Sequence, residues 1–454
     1  MITLTNATIL TVDSGDHFYE DGRVVVDNGR IAAVGPAAAL PIQGEAVDLR
    51  GGLVMPGLIN THTHSHSSLF RNQADDLQLM DWLKKAMWPM EKRLSPQRAY
   101  AATALSCLEY LRCGITTYAD QFYYADTIAQ AAQRSGLRCF LAATVFTDPS
   151  PETADSFAAA RAFVERWRGR EDQTRVYPCI GPHAPYSVSG ELFRKVVQLS
   201  RDYDLLIHTH ISETEDENAQ LRAQTGLSPT QWLESLGVFE RPVLAAHSIH
   251  LDETDLEIYR RRGVHVTYNP VSNMKLASGV MPYRRMRELG IPISLGTDGA
   301  QSNNSMDLLR DLREGVLLQK VYERDATVIS AREAVRMVTI EGAKALRMER
   351  ELGSLEPGKL ADLIVLDPKS PRLTPLHRWD LDNLCGAVTF AACGGDVRDV
   401  MVGGTWLMKD RNVLAFDEEQ VLREGQKASE YLVAHTRCTA ADQRSVYEYD
   451  ENPN

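Results

Sequence analysis

Residues 59–70, "INTHTHSHSSLF", place His62, His64 and His66 at alternate positions directly after an apolar run, in a chain of 454 residues with only twelve histidines. Alternate residues of a β-strand point to the same side, so His62 and His64 can direct two imidazoles at one ion. His66 shares this direction only if the strand continues. A buried pair of histidines without partners would lose about 1–3 kcal/mol per imidazole, which favours a metal ligand role for His62 and His64.

The sequence around this stretch alternates short apolar β-runs with amphipathic helical patterns. Eight strand-then-helix units are typical of a (β/α)8 barrel of the TIM type. A doubly wound open sheet is the alternative, but it normally carries a glycine-rich turn after its first strand, and "NTHTHSHSS" has no glycine. The predicted strands are 53–60, 115–120, 138–144, 175–181, 205–210, 243–247, 264–269 and 291–297.

Both ends of the chain show short β-patterns separated by glycine turns. The N-terminal patterns are "ITLTNATILTVD", "GRVVVDNGRIAAVG" and "AVDLRG", and the C-terminal patterns are "ADLIVLD", "AVTFAACG" and "VRDVMVGGTWLMKD". We predict one small composite β-sandwich built from both termini, with two unrelated β-appendages as the alternative. The predicted divisions are 1–54 and 358–416 for the sandwich, 55–357 for the barrel, and 417–454 for a C-terminal helix and tail.

Polar residues follow the predicted barrel strands, where barrel enzymes carry their catalytic groups. Strand periodicity does not choose between His208 and His210. A ligand should lie nearest the strand end, which favours His210 and leaves His208 as a hydrogen-bonded interior histidine. The polar residues at these ends are His62 and His64 after strand one, Asp120 after strand two, His183 after strand four, His208, His210 and Glu213 after strand five, His247 and His250 after strand six, Asn269 and Asn273 after strand seven, and Asp298 after strand eight.

Asp298 follows an apolar strand and precedes a glycine, where a carboxylate needs a cation or hydrogen-bond donors to stay ionised. Three imidazoles and one carboxylate, with no cysteine nearby, predict a divalent metal site. Zinc is the first choice for these ligands, with iron or manganese as alternatives. A coordination position open to water would make the site catalytic rather than structural.

These motifs together resemble the amidohydrolase superfamily over nearly the whole chain. The markers are the H-x-H after "PGLIN", His210 with Glu213 three residues on, His247, "GTDGAQSNN" and "GSLEPGKLADLIVLD". The segments "RNQADDLQLMDWLKKAMWPMEKRL", "GPHAPYSVS" and "NPVSNMKLASGV" are similar to the branch of methylthioadenosine and S-adenosylhomocysteine deaminases, which is related to the triazine hydrolases. Hydrolases of guanine, cytosine and chlorinated s-triazines share much of the same pattern.

The resemblance implies a metal-dependent hydrolytic deaminase. Binuclear members carry a carboxylated lysine at strand four, and "RVYPCIGPH" has no lysine, so we expect one ion per chain. The implied metal ligands are His62, His64, His210 and Asp298.

The resemblance also implies roles in catalysis and substrate binding. Asp298 accepts a proton from the attacking water, His247 orients that water, and Glu213 protonates the purine ring. The alternative for Glu213 is a helix-start residue in "SETEDE". The implied substrate contacts are Glu91 for the ribose hydroxyls, Trp82 as an apolar wall and His183 as a hydrogen-bond donor. The alternative for Glu91 is a solvated charge, and the alternative for Trp82 is a core residue of a helix.

The expected substrates are adenosine-type nucleosides: 5′-methylthioadenosine, 5′-deoxyadenosine, adenosine and S-adenosylhomocysteine. Family members that take the last one well place an arginine after strand three, whereas this chain has Ala142, Ala143 and Thr144 in "CFLAATVFTDPS". We therefore expect a neutral 5′ group to be preferred. An s-triazine chloro- or aminohydrolase or a guanine deaminase is the alternative enzyme. A non-catalytic scaffold is disfavoured because every ligand and the acid are present.

The net charge of −12 provides no basic patch, which argues against nucleic acid or an anionic membrane as a partner. No apolar stretch approaches the ~20 residues that span a bilayer. The seven cysteines are scattered and never form C-x-x-C, which favours reduced thiols in the cytoplasm. We expect a small-molecule substrate and a homo-oligomer, either a dimer or a tetramer.

Overall fold

A computed structural model describes residues 1–73, 75–77 and 79–437. Within these residues the strands form two sheets, one of nine strands and one of eight. In chain order the strands are β1 (Ile2–Leu10), β2 (Phe18–Asp27), β3 (Arg30–Pro36), β4 (Glu45–Pro56), β5 (Leu58–His64), β6 (Ile115–Phe122), β7 (Arg138–Val145), β8 (Val176–Pro182), β9 (Ile207–Ile211), β10 (Val243–His247), β11 (His265–Tyr268), β12 (Ile293–Leu295), β13 (Asp298–Gly299), β14 (Leu363–Leu366), β15 (Val397–Val402), β16 (Thr405–Lys409) and β17 (Asn412–Val413).

Helices connect the strands of the nine-stranded sheet and cover its outer surface. Short 3-10 helices span Ser65–Phe70, Val238–Glu240, Pro371–Leu373 and Gly394–Asp396, and π-helical turns span Leu83–Met87 and Ala387–Ala391. The α-helices are α1 (Leu79–Trp82), α2 (Trp88–Glu91), α3 (Pro96–Arg112), α4 (Ala125–Ser135), α5 (Ser156–Trp167), α6 (Glu171–Thr174), α7 (Gly190–Tyr203), α8 (Glu215–Thr225), α9 (Pro229–Ser235), α10 (Glu253–Arg262), α11 (Pro270–Lys275), α12 (Tyr283–Glu288), α13 (Ala300–Asn303), α14 (Leu308–Glu323), α15 (Ala331–Met337), α16 (Ile340–Ala345), α17 (Leu381–Gly386) and α18 (Glu418–Arg437).

The nine-stranded sheet is the predicted (β/α)8 barrel. Strands β5 to β12 pair in chain order and in parallel. The eighth barrel strand is split, because β12 pairs with β11 whereas β13 pairs with β5. The hydroxyls of Thr61 and Thr63 donate to the carbonyls of Leu295 and Asp298 at 3.0 and 2.9 Å. These bonds close the ring between the first and last strands and confirm the barrel.

The prediction of a single first strand over 53–60 is wrong, because the apolar run contains two strands that belong to different sheets. β4 ends at Pro56 in the eight-stranded sheet, and β5 begins at Leu58 in the barrel. Gly57 separates them. A Cβ at Gly57 would lie 2.2 Å from the Thr116 hydroxyl oxygen, so only glycine allows this close approach.

The eight-stranded sheet combines both termini in the order β17-β16-β15-β14-β4-β1-β2-β3. The C-terminal β14 runs antiparallel to the N-terminal β4, and this pairing joins the two halves. The predicted composite β-sandwich is therefore confirmed, and it has its own apolar core. That core includes Leu4, Ile9, Val24, Val26, Ile31, Val54, Leu363, Val365 and Met401. The residue numbers predicted for the domain boundaries stay a prediction.

The strand predicted for "AVTFAACG" is also wrong, since its first five residues form the π-helical turn Ala387–Ala391. The Asp380 carboxylate caps α17, and Gly386 keeps helical dihedral angles, so the chain continues as a helix into this stretch. The Thr389 hydroxyl donates to the carbonyl of Ala331 at 3.2 Å. Helix capping and tertiary contacts override the β-propensity of valine, threonine and phenylalanine.

The predicted C-terminal helix is present as α18, which packs against α3 and the 3-10 helix Ser65–Phe70. The Arg112 guanidinium pairs with Glu418, and the Ser429 hydroxyl donates to the carbonyl of Leu69 at 2.7 Å. The predicted acidic tail lies outside the described residues. Among the helices that the structure describes, none is both long and apolar enough to cross a membrane.

Candidate metal centre and active site

The strand ends of the barrel bring five polar side chains together. His62 and His64 lie on β5, His210 near the end of β9, His247 at the end of β10 and Asp298 at the start of β13. Two overlapping groups, His62 with His64 and His210, and His62 with His247 and Asp298, each have ligand atoms within 4.8 Å of one another. The four predicted metal ligands therefore share one site with His247.

His62 and His64 each use Nδ1 in a hydrogen bond that points away from the cluster. His62 Nδ1 lies 2.8 Å from Nε2 of His208, which is the buried, hydrogen-bonded histidine that we expected. His64 Nδ1 donates to the main-chain carbonyl of Gln121 at 2.8 Å. Such bonds to Nδ1 fix the ring orientation and leave Nε2 facing the centre, as in many metal sites.

His210 and His247 repeat this arrangement. His210 Nδ1 donates to the carbonyl of His183 at 2.7 Å, and His247 Nδ1 lies 2.9 Å from Oδ1 of Asn273. Because a carbonyl oxygen only accepts, the Nδ1 of His210 carries the proton and its Nε2 carries a lone pair. Four imidazoles thus direct Nε2 into the same space.

Asp298 presents one oxygen to these histidines and anchors the other. Its Oδ2 accepts hydrogen bonds from the hydroxyls of Ser272 and Ser302 at 2.6 and 3.0 Å, whereas Oδ1 lies 3.4 Å from His62 Nε2 and 3.3 Å from His64 Nε2. Burial alone would raise the pKa of the Asp298 carboxyl, but the facing His62 imidazole, with His64 and His247, outweighs burial and holds this pKa well below its usual range. Its backbone has φ +59°, a strained conformation of a kind that clusters at functional sites.

The donor set fits a divalent cation. His62 Nε2 is buried and has no hydrogen-bond partner among the described residues. The Nε2 atoms of His64 and His210 lie 3.3 Å apart, although bonds from Nδ1 to carbonyls give both of them lone pairs. Two lone pairs at this distance repel unless a cation lies between them. Burial lowers the pKa of His62 to about 4, which keeps this imidazole neutral and able to donate its lone pair.

Glu213 lies directly beyond the cluster and faces His247. Its Oε2 is 3.8 Å from His247 Nε2, and burial raises the pKa of the Glu213 carboxyl. Burial lowers the pKa of His247, but the Glu213 and Asp298 carboxylates outweigh burial and raise it overall. A buried acid with a raised pKa beside a metal-type cluster suits proton transfer to a bound substrate.

The predicted substrate residues Trp82, Glu91 and His183 line the same cavity as the cluster. Trp82 is buried, and its indole N–H has no partner among the described residues. Burial raises the pKa of Glu91 to about 7, against the effect of the Tyr123 hydroxyl, which donates to Glu91 Oε2 at 3.3 Å. Burial lowers the pKa of His183 to about 3, and its Nδ1 lies 2.8 Å from the Ser187 hydroxyl. Every predicted site residue except the fully buried His62 therefore lines one cavity.

Several residues that support the site have weak sequence signals. Gln121 acts through its main-chain carbonyl, which no side-chain pattern reveals. Ser272 and Asn273 match no motif with a known role, although "NPVSN" places both one short turn after a barrel strand. Glu217 is buried and its carboxylate accepts the main-chain N–H of Glu213 at 2.8 Å. Its spacing of four from Glu213 is the signal that could have identified it.

Known proteins are similar to this chain over most of its length. A sequence model of the amidohydrolase family matches residues 53–407. The 5-methylthioadenosine/S-adenosylhomocysteine deaminase of Pelotomaculum thermopropionicum is 40% identical over 435 residues, covering 95% of this chain and 99% of the relative. The 5′-deoxyadenosine deaminase of Methanosarcina mazei is 39% identical over 434 residues, covering 95% and 98%. The crystal structure of an adenosine deaminase from Xanthomonas campestris with bound zinc has a TM-score of 0.90 and 31% identity, covering 95% of this chain and 98% of that one. The chain therefore belongs to the amidohydrolase family.

Proposed function

We propose that this protein is a metal-dependent hydrolytic deaminase that converts adenosine-type nucleosides to their inosine analogues and ammonia. The observation that carries the proposal is the convergence of three histidine Nε2 atoms and one Asp298 oxygen beside the buried acid Glu213. Relatives about 40% identical to this chain are deaminases of methylthioadenosine, S-adenosylhomocysteine or 5′-deoxyadenosine by name, which supports the substrate class.

We propose His62, His64, His210 and Asp298 as the ligands of one divalent ion. Zinc is the first choice, supported by the zinc in the Xanthomonas campestris structure and by ligands that include no cysteine; iron and manganese are the alternatives. An ion held there supplies a Lewis acid that lowers the pKa of water towards about 7.

Asp298 and His247 act on the attacking water. The Asp298 carboxylate, oriented by the hydroxyls of Ser272 and Ser302 at Oδ2, accepts one proton from the water. His247 orients the water with Nε2, since Nδ1 is occupied by Asn273. The water oxygen then forms a bond to the amino-bearing carbon of the purine.

Glu213 acts on the purine ring. It gives its proton to the ring nitrogen next to the reacting carbon, which makes that carbon more electrophilic. The carbon–nitrogen bond to the amino group breaks, and the amine leaves as ammonia with the proton that Asp298 took from the water. The second water proton restores Glu213, so one water is consumed for each ammonia released. Glu217 holds the main chain of Glu213 during these steps.

Glu91, Trp82 and His183 are the proposed substrate contacts. Glu91 accepts hydrogen bonds from the ribose hydroxyls, Trp82 forms an apolar wall, and His183 donates to the substrate. Near the end of β7, the third strand of the barrel, the cavity is lined by Thr144 and Phe146. None of the described residues that line the cavity is an arginine or a lysine. We therefore propose that methylthioadenosine, 5′-deoxyadenosine and adenosine are better substrates than S-adenosylhomocysteine, whose carboxylate favours a charged fork-shaped donor.

The test is the kcat/KM of the purified protein, followed by ammonia release, for these four compounds and for guanine and a chlorinated s-triazine. We expect deamination of all four adenosine compounds, with a kcat/KM for S-adenosylhomocysteine about ten- to a hundredfold below that of the best substrate. This factor corresponds to one missing charge-assisted hydrogen bond to the S-adenosylhomocysteine carboxylate. Turnover of only guanine or the triazine would contradict the nucleoside assignment. S-adenosylhomocysteine as the best substrate would contradict the argument from the missing cation.

Two further expectations stay proposals. We propose a homo-oligomer, a dimer or tetramer, which light scattering of the purified protein tests directly. We also propose a cytoplasmic location, in agreement with the scattered cysteines, and cell fractionation tests it.

A further inference from the structure

His66 is a buried imidazole that the proposed chemistry does not use. The chain leaves the strand after His64, and His66 lies on the 3-10 helix Ser65–Phe70. Its side chain is 2% exposed and stacks on Phe122, and neither ring nitrogen has a hydrogen-bond partner among the described residues. Buried polar groups are almost always hydrogen-bonded, so this unsatisfied ring calls for an explanation.

The nearest acidic group to His66 is the proposed ribose contact Glu91. His66 Nε2 lies 3.7 Å from Glu91 Oε1, slightly beyond hydrogen-bond distance. The Tyr123 hydroxyl donates to the other oxygen, Oε2, at 3.3 Å. Each oxygen of Glu91 therefore faces one side chain that follows a barrel strand, whereas Glu91 itself lies on α2.

We infer that His66 is a positioning residue that orients the Glu91 carboxylate, and that the preference of the pocket for an intact ribose diol depends on it. This inference rests on the proposed nucleoside substrate. An ionised carboxylate has about four lone-pair sites. Two donors from the protein, His66 and Tyr123, and two ribose hydroxyls fill these four sites. Shortening the 3.7 Å separation of His66 Nε2 and Glu91 Oε1 by about 0.5 Å would place them at hydrogen-bond distance.

The competing interpretation is that His66 only fills space against Phe122. In that case its replacement would affect all substrates equally, through stability or packing. An effect confined to substrates that carry both hydroxyls distinguishes the two interpretations, because only Glu91 recognises those hydroxyls in the proposed site.

The experiment compares adenosine, 2′-deoxyadenosine and 3′-deoxyadenosine in the wild-type enzyme and two matched variants. His66→Gln keeps a donor at the position of Nε2, whereas His66→Met has similar reach and no donor. We expect the wild type to prefer adenosine over at least one deoxynucleoside by about tenfold, the scale of a hydrogen bond to a charged group. His66→Met should lose most of this preference through a higher KM for adenosine, and His66→Gln should keep it within about threefold.

Two further variants keep the test decisive if His66→Met folds poorly. Tyr123→Phe removes the donor at the other oxygen and should show the same selective loss for adenosine. Adding His66→Met to Glu91→Gln should cause no further loss of the diol preference, because residues that act through one another are not additive.

An equal loss of activity on all three nucleosides in His66→Met, or a His66→Gln variant that behaves like His66→Met, would overturn the inference. Failure of the wild type to deaminate any adenosine compound would instead overturn the proposed function. Normal wild-type activity with an unchanged diol preference in His66→Met would overturn the role of His66 alone.

Discussion

The strand-end cluster and the segment that covers it, residues 79–91, reach the same cavity by different means. The cluster side chains come from strands whose pairing is fixed along the barrel; Asp298, for example, pairs opposite Thr63 on β5. The covering segment consists of α1 and α2, of four residues each, joined by a π-helical turn. Sites built on the regular elements of a scaffold hold functional groups more precisely than sites on connecting segments do. The comparison suggests that the barrel fixes the reaction, whereas the covering segment selects the substrate.

The two regions also differ in how completely their polar groups are satisfied. In the cluster, each of the four histidines has a hydrogen bond at Nδ1 to a group outside the cluster. Around the covering segment, the indole N–H of Trp82 and both ring nitrogens of His66 have no partner among the described residues. The histidine rings of the cluster are thus oriented in advance, whereas we expect the covering region to gain hydrogen-bond partners when a substrate binds.

The largest expected effect is the loss of a metal ligand. His62→Ala or Asp298→Ala should remove both the ion and the activity, with a decrease of at least about 10³-fold, because metal catalysis contributes several kcal/mol. Metal analysis together with steady-state kinetics measures both quantities. Full activity in either variant would show that the cluster is structural.

The next effect separates the acid from the ligands. Glu213→Gln should keep the ion but decrease kcat by at least about 10²-fold, the usual scale for general acid–base catalysis. Metal content is the internal control for an intact cluster. Normal turnover in this variant would make Glu213 only a helix-start residue before α8.

A smaller effect is expected in the covering segment. Glu91→Gln should raise the KM for adenosine by about tenfold and leave the ion in place, because an amide accepts fewer hydrogen bonds from the hydroxyls than a carboxylate does. The pKa of Glu91 is raised to about 7, so the carboxylate is present above this pH and is lost as the pH falls through it. The KM of the wild type for adenosine should therefore rise as the pH falls below about 7.

The Glu91→Gln variant is also the control for this pH dependence. Its KM should not change over the same pH range, since an amide does not titrate there. A wild-type KM that is independent of pH between 6 and 8, about one unit on either side of the raised pKa of Glu91, would place the carboxylate outside the ribose contacts.

The smallest expected effect is that of His208→Asn. His208 forms a hydrogen bond with Nδ1 of His62 on the side away from the cluster. An asparagine keeps a polar group there, but its shorter side chain does not reach His62 Nδ1 as well as the imidazole does. We expect the free energy of unfolding to decrease by about 1 kcal/mol, the scale of one hydrogen bond, and the metal content to stay near normal. Chemical denaturation and metal analysis measure the two effects. Loss of the ion would make His208 part of the metal site itself.

The cluster could be predicted from the sequence because it depends on strand periodicity. His62 and His64 are two residues apart on β5, and Asp298 ends an apolar run, so their convergence follows from the barrel. Periodicity fails where the chain turns. His66 continues the alternation in the sequence, but the 3-10 helix moves it away from the cluster and towards Glu91.

Other features depend on tertiary structure that no local pattern encodes. Gly57 lies between strands of two sheets, and the side chain that requires a glycine there, Thr116, lies far away in the sequence. The eighth strand is likewise split before Asp298, because its two parts pair with different neighbouring strands, β11 and β5. Only the family resemblance predicts that Trp82 and Glu91 reach the site. Both lie on short helices in a long connection, where no regular periodicity predicts the direction of a side chain.

The most direct test of the account is metal removal and reconstitution of the wild-type protein, with 5′-methylthioadenosine as the substrate. The account predicts that chelator-treated protein is inactive, and that activity returns in proportion to added zinc until about one ion is bound per chain, as expected for a four-ligand mononuclear site. Glu213→Gln should bind the same amount of zinc, and its kcat should stay at least about 10²-fold below that of the wild type. Full deaminase activity in the metal-free protein, or zinc binding without any deamination of adenosine compounds, would contradict the account.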